Sequence, residues 1–139
     1  MSGLTVRRCG DVVVLDMPRN LRAAEVDQLR EQLTDRRKEG DLKLVLNAKE
    51  LRRIQEEDMP ILIRSLRSFN FVGGKIVLVQ TADSVRGVLD RVGVMRHVNA
   101  FETEEEGLGF LGSRPNKPAN TKAAGKERNN NESESQNAG

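Results

Sequence analysis

Two spacings of apolar residues run through the first 112 positions. Leu42–Leu46 and Lys75–Val79 are short, nearly continuous apolar runs, the mark of strands buried on both faces. Leu4–Cys9 and Val12–Met17 are two further runs split by Gly10-Asp11, a two-residue turn signal that predicts a β-hairpin. Between and after these runs the apolar residues recur every three or four positions, as on one side of a helix. Ala23, Val26, Leu29 and Leu33 form one such face, stopped by Gly40, and Pro18-Arg19-Asn20 before it breaks the strand so that Asn20 or a neighbour can cap the helix. Met59, Leu62, Ile63, Leu66 and Phe69 form a second, with Pro60 in its first turn and Gly73-Gly74 at its end. Val85, Val88, Leu89 and Val92 form a third, starting at Thr81 or Asp83 and closed by Gly93. A short strand near His97–Phe101 and a last helix from Thr103 to about Leu111, with Glu104, Glu105 and Glu106 in its first turn, complete the pattern.

The resulting order, β-β-α-β-α-β-α-β-α, predicts an α/β domain. Strands that alternate with helices imply a mostly parallel central sheet flanked by about four helices, and the N-terminal hairpin adds one antiparallel pair. The pattern stops after Gly112. From Ser113 to Gly139 alanine is the only apolar side chain among Asn, Ser, Lys, Glu, Gly and Pro, so residues 113–139 read as a disordered polar tail that cannot offset its ordering entropy. Residues 1–112 read as the folded domain.

Charge and composition narrow the chemistry. The net charge of +2 lies wholly in the tail, because residues 1–112 carry 18 Lys and Arg against 18 Asp and Glu. A balanced domain with four Phe and neither Trp nor Tyr offers neither an electrostatic footprint nor a stacking platform for nucleic acid. No apolar run is long enough to span a bilayer and the N-terminus has no signal-peptide core, so a cytoplasmic location is expected. The single Cys9 excludes an internal disulfide and a multi-cysteine metal site and reads as strand filler, and the lone His97 reads as structural or surface-exposed. Phosphate loops, dinucleotide glycine fingerprints, metal-ligand clusters and nucleophile elbows are all missing from the sequence, and no cofactor is implied.

The most distinctive polar stretch is Gln55-Glu56-Glu57-Asp58, at the mouth of the second helix. Three consecutive acids there would meet the unpaired N–H groups and positive dipole end of that helix, with Asp58 able to cap it. Adjacent acids at a helix start diverge in direction and no His converges on them, which argues against a general acid/base pair or a metal site and hence against an enzyme.

Three segments resemble the STAS family, the fold of anti-sigma factor antagonists. They are Gly10-Asp11-Val12-Val13-Val14-Leu15-Asp16 with the helix and Leu44-Val45-Leu46 that follow; Gly73-Gly74-Lys75-Ile76-Val77-Leu78-Val79; and Val85–Val94 leading into Phe101-Glu102-Thr103-Glu104-Glu105-Glu106. The resemblance covers roughly Leu4 to Leu111. In that family the loop at the mouth of the second helix reads close to Asp-Ser-Ser-Gly, and the residue before the Gly is the Ser or Thr phosphorylated by a kinase that is also the anti-sigma factor. If Asp58 stands at the Gly position, Glu57 stands at the acceptor, Glu56 beside it and Gln55 at the Asp; the Asp that commonly ends the preceding strand is here Asn47.

A carboxylate has no hydroxyl to accept a phosphoryl group. The resemblance therefore implies a regulatory protein-binding module without the usual phospho-switch, its Gln55–Asp58 loop carrying a formal −3 where a phosphorylated relative carries about as much. The implied partner is an anti-sigma factor or serine kinase-like ATPase domain, contacted through Gln55, Glu56, Glu57, Asp58 and Met59, with Asn20 and Asn47 as further contacts by analogy. A switchless scaffold subunit in a larger signalling or membrane-associated assembly is the alternative implication.

Overall fold

The computed structural model describes residues 3–112; the tail expected at 113–139 lies outside the described residues. Strands β1 (Thr5–Cys9) and β2 (Val12–Asp16) form the N-terminal hairpin, paired antiparallel. After a two-residue strand β3 (Asn20–Leu21), helix α1 (Ala23–Glu39) leads to β4 (Lys43–Asn47). A second two-residue strand, β5 (Arg53–Ile54), and a 3₁₀ turn at Glu56–Asp58 precede α2 (Met59–Phe71). Then come β6 (Lys75–Val79), α3 (Asp83–Arg91), a 3₁₀ turn at Val94–His97, β7 (Asn99–Phe101) and α4 (Glu104–Leu111).

The main sheet has the order β1-β2-β4-β6-β7, with every pair but the hairpin parallel. Each crossover helix thus steps the chain to the next neighbour. Strand periodicity divides the core in two. Val13, Leu15, Leu44, Leu46, Ile76 and Leu78 meet the apolar sides of α1, α2 and α3, while Val12, Val14, Val45, Val77 and Val79 face Leu108 and Leu111 of α4. The apolar runs of β4 and β6 are therefore buried on both faces, as their sequence predicts.

Close packing of the fourth helix rests on one residue. Gly107 is buried against β6, where a Cβ would come within 2.6 Å of Val77 Cγ1 and 2.8 Å of Val79 Cγ1. At the α2–β6 corner Gly73 takes φ +92°, and the next glycine, Gly74, lies where a Cβ would be 2.4 Å from the Phe69 ring. All three positions disfavour larger side chains, Gly73 by backbone conformation and Gly74 and Gly107 by space.

Several details differ from the sequence pattern. Ala23 is exposed, so the buried side of α1 is Val26, Leu29 and Leu33. The N-cap of α1 is Arg22, whose backbone N–H donates to Glu25 Oε1 at 3.0 Å; Asn20 does not cap because it is taken up in β3, two residues too early. The strand expected from His97 begins at Asn99, and His97 instead ends a 3₁₀ turn, its carbonyl accepting from Asn70 Nδ2 at 3.0 Å.

Candidate partner-binding site

The small parallel sheet of β3 and β5 presents the acidic stretch. Asn20 pairs in register with Arg53 and Leu21 with Ile54, and the Gln55 N–H donates to the Leu21 carbonyl at 2.9 Å. Asn20 is thereby placed on the strand next to the one that feeds the acidic turn, so these two parts of the expected site do come together.

The turn itself is not a simple helix cap. Glu56, Glu57 and Asp58 form a 3₁₀ turn of their own, and the first turn of α2 holds no acid. Asp58 has helical backbone angles, φ −91° and ψ −4°, and its carboxylate makes no capping hydrogen bond. A capping residue needs an extended backbone to swing its side chain over the next N–H groups, and the preceding turn removes that geometry. Pro60 does sit at the start of α2, and Met59 is buried. Met59 thus anchors the turn from inside and is no surface contact.

The three acids are not equivalent. Glu56 Oε2 pairs with Arg91 Nη2 of α3 at 2.6 Å. This ion pair, between two largely exposed groups, tethers the turn to a neighbouring helix and offsets one of the three negative charges. Gln55, Glu56 and Glu57 are exposed and Asp58 is half-buried, so the free charge at the surface centres on Glu57 and Asp58.

Asn47 belongs to a second constellation. It ends β4 beside Asp16 of β2 and is only 6% exposed. Its Nδ2 donates to Gln80 Oε1 and to Glu104 Oε1, each at 2.8 Å, and its Oδ1 accepts from the Lys49 N–H at 2.9 Å. Arg7 closes the cluster from the edge strand, donating to both oxygens of Asp16 at 2.6 and 2.8 Å and to Glu104 Oε1 at 2.7 Å. The Arg7 hydrogen bond, and then that of Asn47, hold the Glu104 carboxyl below the usual carboxylate range despite partial burial. Gln80 has φ 57°, a left-handed conformation for a residue other than glycine, at the end of β6. Together these residues line an open cleft of about 410 Å³ that also touches Lys49 and Glu50. Among the described residues no group of three His, Cys, Asp or Glu is arranged to hold a metal ion.

A family model for the STAS domain matches residues 4–107. The chain belongs to the STAS domain family. Solved structures agree on the fold. A putative anti-sigma factor antagonist from Thermotoga maritima superimposes with a TM-score of 0.66 at 23% identity, over 78% of this chain and 93% of that one. The unphosphorylated anti-sigma factor antagonist SpoIIAA gives 0.65 at 20% identity, over 78% and 95%. RsbS from Moorella thermoacetica, in a serine-to-glutamate form, gives 0.65 at 20% identity, over 78% and 94%. A search of curated proteins found no match.

Within this STAS domain the acidic turn was legible from sequence and the Arg7–Asp16–Asn47–Glu104 cluster was not. Its four members are 97 positions apart at their widest. The one available signal was register: Thr5 pairs with Asp16, which puts Arg7 diagonally across from Asp16 on the same face of the hairpin.

Proposed function

We propose that this STAS domain is a regulatory protein-binding module of the anti-sigma factor antagonist type that works without a Ser/Thr phospho-switch. The observation that carries the proposal is the exposed acidic turn at the mouth of α2, which holds no hydroxyl between Gln55 and Met59. The exposed Glu57 and half-buried Asp58, on a turn fixed by Leu21 and Arg91, are a standing anionic feature where the family pattern has a reversible one. It fits a partner surface with clustered Arg or Lys, by charge-assisted hydrogen bonds and by steering. The partner class is an anti-sigma factor or serine kinase-like ATPase domain, in a cytoplasmic setting. The Glu56–Arg91 pair leaves the turn nearer −2 than the formal −3, so the imitation of a phosphate is partial.

Two experiments bear on the proposal. Incubation with a cognate serine kinase and ATP, followed by peptide mass analysis, should leave the segment 52–64 unmodified; phosphate on Ser65 or Ser68 would instead place a displaced switch on α2. Glu57→Ser alone should stay unphosphorylated as well, since Gln55 and Asp58 also depart from the family pattern. A complex held by this turn should weaken steeply as ionic strength rises. A scaffold docked through apolar surface would keep its affinity in salt.

A further inference from the structure

The opposite end of α2 differs in chemistry from its acidic mouth. The helix has 13 residues and so separates the two ends by about 20 Å. At the far end, where α2 turns into β6, Phe71 is 90% exposed and Val72 is 42% exposed. Two shallow grooves flank this corner. One, of about 420 Å³, runs along Arg37, Arg64 and Arg67 beside Phe71; the other, of about 260 Å³, passes Lys75, Arg96 and the half-exposed Phe110. Neither groove is lined by a carboxylate. None of those five cations makes an ion pair among the described residues, as is also true of Arg19, Lys49, Arg52 and Arg53. The described chain also leaves at this end, for Lys43 Nζ, at the start of β4, donates to the Gly112 carbonyl at 3.3 Å. The sequence that follows carries five Lys and Arg against one Glu between Arg114 and Arg128.

We propose that the α2–β6 corner is a peripheral docking surface for an anionic lipid bilayer. Phe71, standing almost free beside Val72 at this corner, can be covered by an interfacial layer without a preformed pocket. Unpaired arginines on either side would lie at headgroup level, where each basic residue adds attraction to anionic lipid. Along α2 the acids precede the first residue, and Arg64 and Arg67 stand in the body of the helix. The orientation that follows points the acidic turn away from the bilayer, open to a soluble partner. A nucleic acid is a poorer occupant, since the exposed apolar side chains Phe71, Val72 and Phe110 would remain largely unsatisfied against phosphate.

The test is sedimentation of the full chain with phosphatidylcholine vesicles, with and without phosphatidylglycerol. Binding is expected only with phosphatidylglycerol and should weaken with salt. Arg64→Glu/Arg67→Glu should reduce it by more than tenfold, on a scale of roughly fivefold per basic residue at the surface. Phe71→Ser should reduce it severalfold at unchanged circular dichroism; both variants alter exposed residues and leave the core intact. Failure of the parent to sediment, or sedimentation of both variants like the parent, as when the basic tail alone binds, would overturn the proposal. Soluble polyglutamate or RNA bound at the corner in preference to vesicles would assign it to an acidic protein or a nucleic acid and overturn it equally.

Discussion

Asn47 shows how a single residue type is fixed by its neighbours. Where the family pattern commonly has Asp, this chain has an amide whose two N–H groups are spent on Gln80 and Glu104. An aspartate there would offer Glu104 a second negative charge in place of a donor. Asn47→Asp should therefore destabilise the domain by about 2 kcal/mol at neutral pH, with the loss shrinking as the medium is acidified and the carboxyls protonate. Denaturant unfolding at pH 7 and pH 4 would measure both. The linkage of Glu104 has the matching sign. Its folded pKa is depressed, so its contribution is present above the ordinary Glu value of about 4.3 and is lost as pH falls through the lower, folded value. Glu104→Gln should thus cost about 1 kcal/mol at pH 7, a figure reduced for its partly exposed Arg7 partner, and nothing in strong acid. Sequence pattern placed Glu104 in the first turn of a helix, and the family resemblance placed Asn47 at the end of a strand, as the structure has them. Their contact was illegible because a hydrogen bond across 57 positions leaves no local periodicity.

Among the elements, the helices and main-sheet strands were legible in the sequence and the two-residue strands were not. The helices and the buried strands announce themselves because burial repeats at 3.6 or 2 residues over several turns or pleats. Two-residue strands have no period, and β3 and β5 came to light only in three dimensions. They matter out of proportion to their length, since they carry Asn20 and aim the acidic turn. The same turn illustrates a competition between local rules: three acids before a helix suggest a cap, but the chain closes a separate 3₁₀ turn with the Met59 N–H donating to the Glu56 carbonyl. Helix α4 is a further case. Its eight residues can cover the second face of the sheet only because Gly107 lets the backbone approach Val77 and Val79. Gly107→Ala should force the helix outward and cost about 1–3 kcal/mol, the range for overpacking, despite the better helix propensity of alanine. Thermal denaturation of that variant is a direct check.

The whole molecule combines an electrically balanced fold with an uneven distribution of its charges. Three acids stand before α2 in the Glu56–Asp58 turn, with Arg52 and Arg53 just ahead of them, and Arg64, Arg67 and the exposed Phe71 lie further along the helix. The two proposed contacts, a basic protein surface at the acidic turn and an anionic layer at the α2–β6 corner, lie at opposite ends of α2 and do not overlap. The fold class and the family were readable from the sequence because they rest on patterns spread over a hundred residues. The grouping of Arg37 with Arg64, Arg67 and Phe71 was not, because it joins residues of two helices that no local pattern links.

The proposed role of the acidic turn is that of a constitutive binding surface. Its most direct test is calorimetric titration of an anti-sigma factor or serine kinase-like ATPase domain with the parent chain and with Glu56→Ser/Glu57→Ser, at low and high salt. The substitutions should change affinity by roughly tenfold or more, about 1.4 kcal/mol, at low salt, the difference should narrow at high salt, and unfolding stability should stay within about 1 kcal/mol. Equal affinities for the two proteins at both salt concentrations would contradict that role and reduce the turn to a structural lead-in to α2.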